Sequence, residues 1–356
     1  MKAIVYGGVG RFELKDVPDP RLEPGGLIAR VDCCGICGTD YKLFFTENPR
    51  FPPGSILGHE FVATVVNVSH EANGPAVSGA EGFEVGDRVT MATTVPCGGC
   101  YLCHSGLGNL CPGARCVGAA YQGAFAEYIP IAAHAVRMGN VLKVPGSVPS
   151  RAAALTEPLS CVVNAQHIAA VGIGHSVVVV GAGPLGCMHV EVARARGARQ
   201  VIVVQRSKAR CELAERFEPD AVICSDEGDM VSRVRQLTEG RGADRVIVAA
   251  PDRKAQEQSI HLAAKGGVVS LFASLPKGAA DITLDSRVVH YGQLSVVGCS
   301  DSTAAQGAEA LRLLESGAVD ADKLITHEVT LDRILDGIEI MRRKIGLKVL
   351  VRVAGG

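Results

Sequence analysis

Residues 175–186 read HSVVVVGAGPLG, and this stretch decides the fold. Its first half, Ser176 to Val180, is a run of small and valine residues that is typical of a parallel strand covered on both faces. A G-x-G-x-x-G motif and the start of a helical stretch follow at once, through Gly181, Gly183, Pro184, Leu185 and Gly186. Glycines at this spacing between a strand and a helix predict a dinucleotide-binding turn, where the helix N-terminus receives a pyrophosphate. The alternative is a tight strand–helix turn that binds no ligand.

Strands and helices alternate around this motif from residue 160 onward. Strands are expected at 176–180, 200–205, 221–224, 245–249, 268–272 and 294–298. Helices are expected between them at 184–197, 207–217, 227–239, 253–264 and 285–292. This alternation predicts an α/β fold with a doubly wound parallel sheet, a Rossmann domain, over residues 160–299.

The first 150 residues have a different pattern, with short strands between glycine and proline breakers. Strands are expected at 2–6, 27–33, 60–68, 88–92 and 126–131, and a polar surface loop at 69–83. The end of the chain predicts helices at 304–316 and 331–344 and a closing strand at 348–353. A length of 356 residues agrees with two domains, one of them mostly β.

The composition excludes several classes of function. A formal net charge of −1 with 21% charged residues argues against nucleic-acid binding as the main function. Uninterrupted apolar runs of about 18 residues are absent, and the first residues lack the pattern of a signal peptide, so we expect a cytoplasmic protein without a membrane partner. Thirteen cysteines in such a chain favour metal ligands or buried thiols over disulfides.

Two short motifs carry side chains that commonly bind zinc. Residues 35–40 read GICGTD, and residues 58–60 read GHE. Cysteine thiolate, imidazole and carboxylate are the usual ligands of zinc in proteins. The motifs therefore predict a candidate metal site with Cys37, His59 and Glu60. The alternative is a buried cysteine and a surface His-Glu pair.

A cluster of four cysteines forms a stronger metal signature. It has the spacing C-x2-C-x2-C-x7-C and comprises Cys97, Cys100, Cys103 and Cys111. Four thiolates this close in sequence predict a closed, structural zinc site, and the alternative of four unrelated free thiols fits the spacing poorly. The remaining cysteines match no ligand pattern and are interpreted as core or surface thiols: Cys33, Cys34, Cys116, Cys161, Cys187, Cys211, Cys224 and Cys299.

These motifs, together with Glu157-Pro158-Leu159, occur in an order that resembles the zinc-dependent medium-chain alcohol dehydrogenases. The chain is similar to the branch that holds sorbitol, threonine and butanediol dehydrogenases. The resemblance implies a GroES-like, mostly-β catalytic domain made of residues 1–159 and 300–356, and a Rossmann cofactor domain made of residues 160–299. It also implies assembly as a homodimer or homotetramer.

The resemblance further implies roles for the residues of the first two motifs. Cys37 and His59 match two ligands of a catalytic zinc, and either Glu157 or Glu60 matches the third. Such a zinc acts as a Lewis acid on the hydroxyl of a small alcohol substrate, while hydride passes to a nicotinamide ring. Thr39 lies where the family has the hydroxyl of its proton relay. Both assignments of the third ligand stay open at this point.

Two neighbouring positions belong to the same motif region. Asp40 resembles the carboxylate that orients the ligand histidine in the family. Lys42 stands where many relatives carry a histidine that continues the proton relay. We therefore expect Lys42 to face a cofactor phosphate or ribose, or simply solvent.

The end of the predicted strand 200–205 bears on the choice of cofactor. NAD enzymes have an acidic residue there, which accepts hydrogen bonds from the adenosine ribose. This chain has Gln205, Arg206 and Ser207 instead, with Arg210 nearby. An arginine and a serine can bind a 2′-phosphate, which a carboxylate would repel. We therefore expect NADP rather than NAD, with solvated charges at the start of a helix as the alternative.

The sequence says less about the substrate than about the fold, the metal sites and the cofactor. Sorbitol-type members carry an arginine shortly after a glycine of the last sheet strand, and Asp301 stands at that place here. A carboxylate there counts against sorbitol itself and suits an amine or several hydroxyls. The leading hypothesis is an NADP-preferring enzyme that interconverts a secondary alcohol of a polyol, cyclitol or similar polar molecule with its ketone.

Two alternatives belong to other branches or classes. One is an NAD-linked threonine, butanediol or simple alcohol dehydrogenase. The other is a zinc-lobed protein that binds nucleic acid, which the near-neutral charge opposes.

Overall fold

The computed structural model describes residues 1–69, 82–225 and 229–353. Contacts divide the chain into two units. The first unit is Met1–Ser160 with Asp301–Gly317 and Leu324–Gly356, and the second is Cys161–Ser300 with Ala318–Lys323. Within the described ranges, every helix is too short or too polar to cross a membrane.

Seventeen strands and thirteen α-helices make up the described parts of the chain. In chain order the strands are β1 (Lys2–Tyr6), β2 (Phe12–Asp16), β3 (Leu27–Gly35), β4 (Glu60–Val68), β5 (Arg88–Met91), β6 (Thr94–Val95), β7 (Arg115–Cys116), β8 (Tyr128–Ile131), β9 (Val141–Lys143), β10 (Ser176–Val180), β11 (Gln200–Gln205), β12 (Ala221–Cys224), β13 (Ala243–Val248), β14 (Ala263–Leu271), β15 (Ser295–Gly298), β16 (Ile325–Thr330) and β17 (Lys348–Arg352). The helices are α1 (Gly38–Phe45), α2 (Tyr101–His104), α3 (Ala133–Arg137), α4 (Ser150–Ala153), α5 (Thr156–Ile168), α6 (Pro184–Ala195), α7 (Lys208–Glu215), α8 (Met230–Leu237), α9 (Arg253–Gln258), α10 (Ser286–Gly292), α11 (Ala304–Glu315), α12 (Ala321–Leu324) and α13 (Ile334–Arg343).

The second unit is built on a six-stranded sheet with the order β12-β11-β10-β13-β14-β15. All five neighbouring pairs are parallel. Every residue of β10 is buried, as the valine run predicts, and Val178 and Val180 pack with Ile202 and Val246 in one apolar core. Fully burying a side chain of this size contributes about 1.5–3 kcal/mol. The predicted doubly wound α/β fold is confirmed.

The first unit is mostly β and holds a mixed sheet with the order β16-β17-β3-β4-β5-β9, and β8 also pairs with β3. β3 and β4 are antiparallel, and Gly35 at the end of β3 lies opposite Glu60 at the start of β4. β17 pairs with the same end of β3, where Leu350 lies opposite Gly35. The end of β3, the start of β4 and the middle of β17 therefore meet at Gly35, beside the residues of the two zinc motifs.

Several predicted boundaries differ from the observed ones. The helix expected at 253–264 is wrong in its second half, because α9 ends at Gln258 and residues from Ala263 onward belong to β14. Two alanines favour a helix locally, but pairing with β13 outweighs that propensity. Patterning also missed the strands β2, β6, β7, β9 and β16 and the helices α1 to α5 and α12. Residues 70–81 of the expected surface loop and residues 227–228 of an expected helix lie outside the described residues.

One expectation about the cysteines is wrong. The structure joins Cys211 in α7 to Cys224 at the end of β12 by a disulfide, with the two Cα atoms 6.2 Å apart. We expected both side chains to be thiols, because the composition argued against disulfides. The packing of α7 against the neighbouring strand, which the sequence does not reveal, brings the two side chains within bonding reach.

The glycine motif between β10 and α6 has the steric requirements that its spacing predicts. A Cβ atom at Gly186 would overlap the carbonyl oxygen of Gly181, because the helix lies directly on the strand end. A Cβ at Gly183 would meet no protein atom within 4 Å. Gly186 is therefore required by packing inside the protein, whereas the space at Gly183 is open to a ligand.

We expect Gly186→Ala to destabilise the second unit by about 3 kcal/mol or more, because the strand and helix must separate to admit a methyl group. The matched control is Gly183→Ala, which should change the free energy of unfolding by less than about 1 kcal/mol. Urea unfolding followed by circular dichroism measures both. Equal stability of the two variants would contradict the packing described here.

Candidate functional site

The first zinc motifs come together at the end of β3. Cys37 is the N-cap residue of α1, directly after β3, and His59 directly precedes β4. Because β3 and β4 are paired, the ligand atoms of Cys37, His59 and Glu60 lie within 4.8 Å of one another. A thiolate, an imidazole and a carboxylate at these separations can converge on one metal ion.

Charges around His59 favour its protonated form in the metal-free protein. Enclosure by protein atoms opposes that form, but the Cys37 thiol, Asp40 and Glu157 outweigh it and raise the pKa of His59 well above its usual value. The amide of Cys37 donates to Oδ2 of Asp40 at 2.9 Å, which fixes this carboxylate against the start of α1. Metal binding at this site would therefore displace a proton from the imidazole.

Glu60 also belongs to a buried ion pair, which the sequence analysis did not predict. Lys348, at the start of β17, contacts Oε2 of Glu60, and the two side chains are 6% and 1% exposed. Burial alone would lower the pKa of Lys348, but Glu60 and Cys37 reverse this and raise it. A Cβ at Gly35 would overlap Glu60 Oε2 and lie 3.0 Å from Cε of Lys348, so the pair needs a glycine at this position.

Glu157 lies in the first turn of α5 and is close to the same cluster. Burial raises the pKa of Glu157 to about 7; His59 opposes the shift, and Glu60 and Asp301 add to it. Carboxylate oxygens of Glu157 and Asp301 lie within 4.8 Å of each other. Glu157 therefore interacts electrostatically with two other carboxyl groups, those of Glu60 and Asp301.

The two remaining residues of the first motif lie on α1. Thr39 is partly exposed, and Lys42 is exposed to solvent. An exposed Lys42 agrees with both expected positions, in solvent or at a cofactor phosphate or ribose.

The four cysteines predicted to bind a structural metal form one cluster. Their Sγ atoms all lie within 4.8 Å of one another, with Cys100 3.4 Å from Cys103 and 3.7 Å from Cys111. The amide of Cys97 donates to Cys111 Sγ at 3.3 Å. Hydrogen bonds from the backbone of Gly99, then from Cys111, lower the pKa of Cys97 to about 6. Four such sulfurs match the closed donor set of a structural zinc site.

The dinucleotide turn and its phosphate-binding candidates belong to the second unit. Gly183 is the N-cap residue of α6, and Pro184 occupies the first helical turn. Ser207 is the N-cap residue of α7, and its side chain makes no capping hydrogen bond. A serine hydroxyl at a helix N-terminus is suited to an anionic ligand when it does not cap the helix itself.

Two arginines flank the end of β11. Arg206 is 72% exposed and lies 3.5 Å from Oδ2 of Asp252, a residue that the sequence analysis did not single out. Nη1 of Arg210 is buried and has no hydrogen-bond partner among the described residues. A buried guanidinium donor without a partner costs free energy, and an anionic ligand would supply the missing acceptor. The Gln205 side chain completes this strand end without a carboxylate.

Family sequence models match both parts of the chain. The alcohol dehydrogenase GroES-like domain matches residues 23–145, and the zinc-binding dehydrogenase domain matches residues 184–316. The two matches fall on the mostly-β part and on the part with the parallel sheet. They agree with the fold described above.

Proteins with similar sequences align with nearly the whole chain. An L-threonine 3-dehydrogenase of Pyrococcus abyssi is 35% identical over 335 residues, which are 93% of this chain and 92% of that protein. A sorbitol dehydrogenase of Halalkalibacterium halodurans is 33% identical over 338 residues, 93% of each chain.

Solved structures of similar proteins extend the likeness to three dimensions. A zinc-binding dehydrogenase from Sinorhizobium meliloti, solved with NADP bound, superposes with a TM-score of 0.88 at 29% identity and covers 99% of this chain and 98% of its own. The 2R,3R-butanediol dehydrogenase of Bacillus subtilis gives a TM-score of 0.87 at 26% identity, with 99% of each chain covered. The family predicted from the motifs is confirmed: the chain belongs to the zinc-dependent medium-chain alcohol dehydrogenases and is an oxidoreductase.

Proposed function

We propose that this enzyme oxidises a secondary alcohol of a polyol, cyclitol or similar polar molecule to its ketone, with NADP as hydride acceptor. The observation that carries the proposal is the convergence of Cys37, His59 and Glu60 within 4.8 Å. The first unit is then the catalytic domain and the second the cofactor domain. Zinc bound there supplies a Lewis acid for the substrate oxygen, and NADP supplies the hydride acceptor.

For the third zinc ligand, the geometry favours Glu60 over Glu157. Glu60 shares one cluster with Cys37 and His59, whereas Glu157 groups with Asp301. Glu157 then has a different role. A carboxyl group with a pKa of about 7 can accept and release a proton near neutral pH, which suits an acid–base group beside the reacting hydroxyl.

A hydroxyl on α1 completes the proposed proton path. Thr39 is partly exposed and lies two residues after Cys37, so its hydroxyl is suited to pass a proton from the site toward solvent. The exposed Lys42, which replaces a histidine of the family relay, takes no part in this path.

Three observations support NADP over NAD. The end of β11 carries no carboxylate, the Ser207 hydroxyl makes no capping bond, and Arg210 Nη1 has no hydrogen-bond partner among the described residues. Arg206 pairs with Asp252, but an exposed pair of this kind contributes about 1 kcal/mol or less. The guanidinium can therefore turn to a 2′-phosphate at small cost.

An NAD-linked threonine, butanediol or simple alcohol dehydrogenase is the second candidate. It is favoured by the names of the similar proteins, since several of the curated relatives are L-threonine 3-dehydrogenases with 30–35% identity. The two candidates differ in cofactor and substrate. Spectrophotometric assays with NADP and NAD across polyols, cyclitols, amino alcohols and simple alcohols therefore separate them.

We further propose that the enzyme assembles as a homodimer or homotetramer through the second unit. β15 is an edge strand that pairs only with β14 within the described residues. Its central residues Val296 and Val297 are only partly buried. An apolar edge strand of this kind is suited to pairing with a second copy.

The two proposed zinc sites predict different effects of cysteine substitution: loss of activity at one site and loss of stability at the other. Cys37→Ser should abolish turnover and remove one of two bound zinc ions while the free energy of unfolding changes little. Cys100→Ser should also remove one zinc ion but lower stability by several kcal/mol, because structural zinc contributes directly to folding. Plasma emission spectroscopy counts the zinc, and urea unfolding measures stability.

Cys103→Ser is the matched control within the four-cysteine cluster and should behave like Cys100→Ser. Full activity of Cys37→Ser would remove this residue from the catalytic site. A Cys100→Ser protein with two zinc ions and unchanged stability would show that the cysteine cluster is not a metal site.

We expect Arg206→Asp to weaken NADPH binding about 10- to 100-fold, because it replaces a charge-assisted hydrogen-bond donor with a carboxylate that repels the phosphate. NADH binding should change by less than about threefold. Quenching or enhancement of nicotinamide fluorescence measures both dissociation constants without a known substrate. Arg233→Asp, an exposed charge reversal on α8, controls for net charge. Tighter binding of NADH than NADPH by the unmodified enzyme would contradict the proposed cofactor.

A further inference from the structure

The second unit contains a cavity that is separate from the glycine turn. Its volume is about 680 Å³. Asp244, the second residue of β13, and Ala263, the first residue of β14, both line it, so it lies at the amino ends of these strands. The glycine turn follows the carboxyl end of β10, and β10, β13 and β14 are parallel. The cavity and the dinucleotide turn therefore lie at opposite ends of the strands.

Four positively charged side chains from four segments line this cavity. They are Arg235 in the last turn of α8, Arg241 in the loop before β13, Lys265 in β14 and Arg287 in α10. All four are exposed, so a ligand can reach them. Among the residues that the structure describes, none of the four forms an ion pair. Positive charges that the fold brings together repel one another, and a bound anion removes that repulsion.

Two carboxylates also line the cavity, but donors within the protein already bind them. Oδ2 of Asp244 accepts the amide of Ser176 at 2.7 Å and its hydroxyl at 2.8 Å. Burial opposes the ionised form of Asp244, but these bonds, with a smaller contribution from Arg241, lower its pKa. Asp285 is the N-cap residue of α10, and its Oδ1 accepts the amide of Arg287 at 2.8 Å. Four cations against two carboxylates leave the cavity with an excess of positive charge.

The cavity combines an oriented cation with an apolar surface. Arg235 donates from Nη1 to the carbonyl of Gly240 at 3.2 Å and from Nη2 to the carbonyl of His261 at 3.4 Å. These acceptors are neutral, so they orient the guanidinium without balancing its charge. The apolar surface includes Ile260 and Ala263, which are 1% and 7% exposed. Charged groups beside an apolar surface are suited to an organic anion rather than to a bare inorganic ion.

An aromatic side chain in the same cavity indicates what the organic part is. Tyr291 on α10 is 65% exposed, and the guanidinium carbon of Arg287 lies 5.0 Å from the centroid of its ring. An exposed ring that a cation holds in place is suited to stacking with a nucleobase. The cavity volume also falls within the range of about 300–1,000 Å³ that is typical of small-molecule sites.

We propose that this cavity is a second nucleotide site, which binds a nucleoside monophosphate with its phosphate at Arg241 and Lys265 and its base on Tyr291. The side chains of Arg241 and Lys265 have no hydrogen-bond partner in the described parts of the chain, so their donors are available to a phosphate. The inference goes beyond the proposed function and does not depend on it, because no residue of the cavity belongs to the proposed zinc sites or to the glycine turn.

The test measures binding of AMP to the zinc-loaded, full-length enzyme by isothermal titration calorimetry. Saturating NADPH occupies the dinucleotide site, and the titration is repeated with saturating NADH, so the result is independent of which cofactor the enzyme prefers. We expect one AMP to bind per chain. Adenosine and inorganic phosphate should each bind at least about tenfold more weakly, because each lacks one of the two recognised parts.

Substitutions then locate the bound AMP. Arg241→Gln and Lys265→Gln should each weaken AMP binding about tenfold. The matched control is Arg233→Gln, which removes the same charge from an exposed position of α8 outside the cavity and should change AMP binding less than about twofold. Tyr291→Ala should reduce the affinity for AMP to that for phosphate, whereas Tyr291→Phe keeps the ring and should keep the affinity. An unchanged dissociation constant for NADPH shows that each variant is folded.

Three results would overturn the inference. The first is the absence of AMP binding when either cofactor saturates the enzyme, since AMP would then bind only at the dinucleotide site. The second is binding of adenosine or of inorganic phosphate as tight as that of AMP, which would show that the cavity does not recognise a nucleotide. The third is AMP binding that Arg241→Gln and Lys265→Gln leave unchanged, which would place the nucleotide elsewhere.

Discussion

The candidate catalytic centre depends on a buried ion pair, Lys348 with Glu60, at the place where β3, β4 and β17 meet. Burying two charges costs several kcal/mol per ion unless each is compensated by the other, so neither residue is replaceable alone. Gly35 makes the contact possible because a side chain there would overlap the carboxylate. The pair in turn fixes one oxygen of Glu60 and so orients the carboxylate that groups with Cys37 and His59.

The side chains around the Lys348–Glu60 pair carry more negative than positive charge. Asp40, Glu60 and Glu157 are close to the Cys37 thiol and the His59 imidazole, and Lys348 lowers the pKa of Glu157. Excess negative charge favours a divalent cation, which explains why a metal fits these side chains.

Features encoded by short stretches of sequence were predictable, and those made by distant residues were not. The glycine turn and the four-cysteine cluster each lie within a short segment, so their spacing alone indicates the geometry. Lys348 can pair with Glu60 only because the fold brings β17 beside β3. In the same way, Thr94 donates a hydrogen bond to Asp301, a residue that is far from it in the sequence. Likewise, Arg206 was predictable from the end of β11, but its neighbour Asp252 was not, because it follows β13. The Cys211–Cys224 disulfide was missed for another reason: its cysteines are 13 residues apart, but the composition argued against disulfides.

The central claim is that this fold holds zinc at Cys37, His59 and an acidic side chain. Diffraction data from crystals of the full-length enzyme, collected on both sides of the zinc absorption edge, test it most directly. We predict two anomalous peaks per chain, one among Cys97, Cys100, Cys103 and Cys111 and the other between Cys37 and His59. A single peak at the four cysteines, in protein shown to be active, would contradict the claim, because catalysis would then proceed without the metal at Cys37.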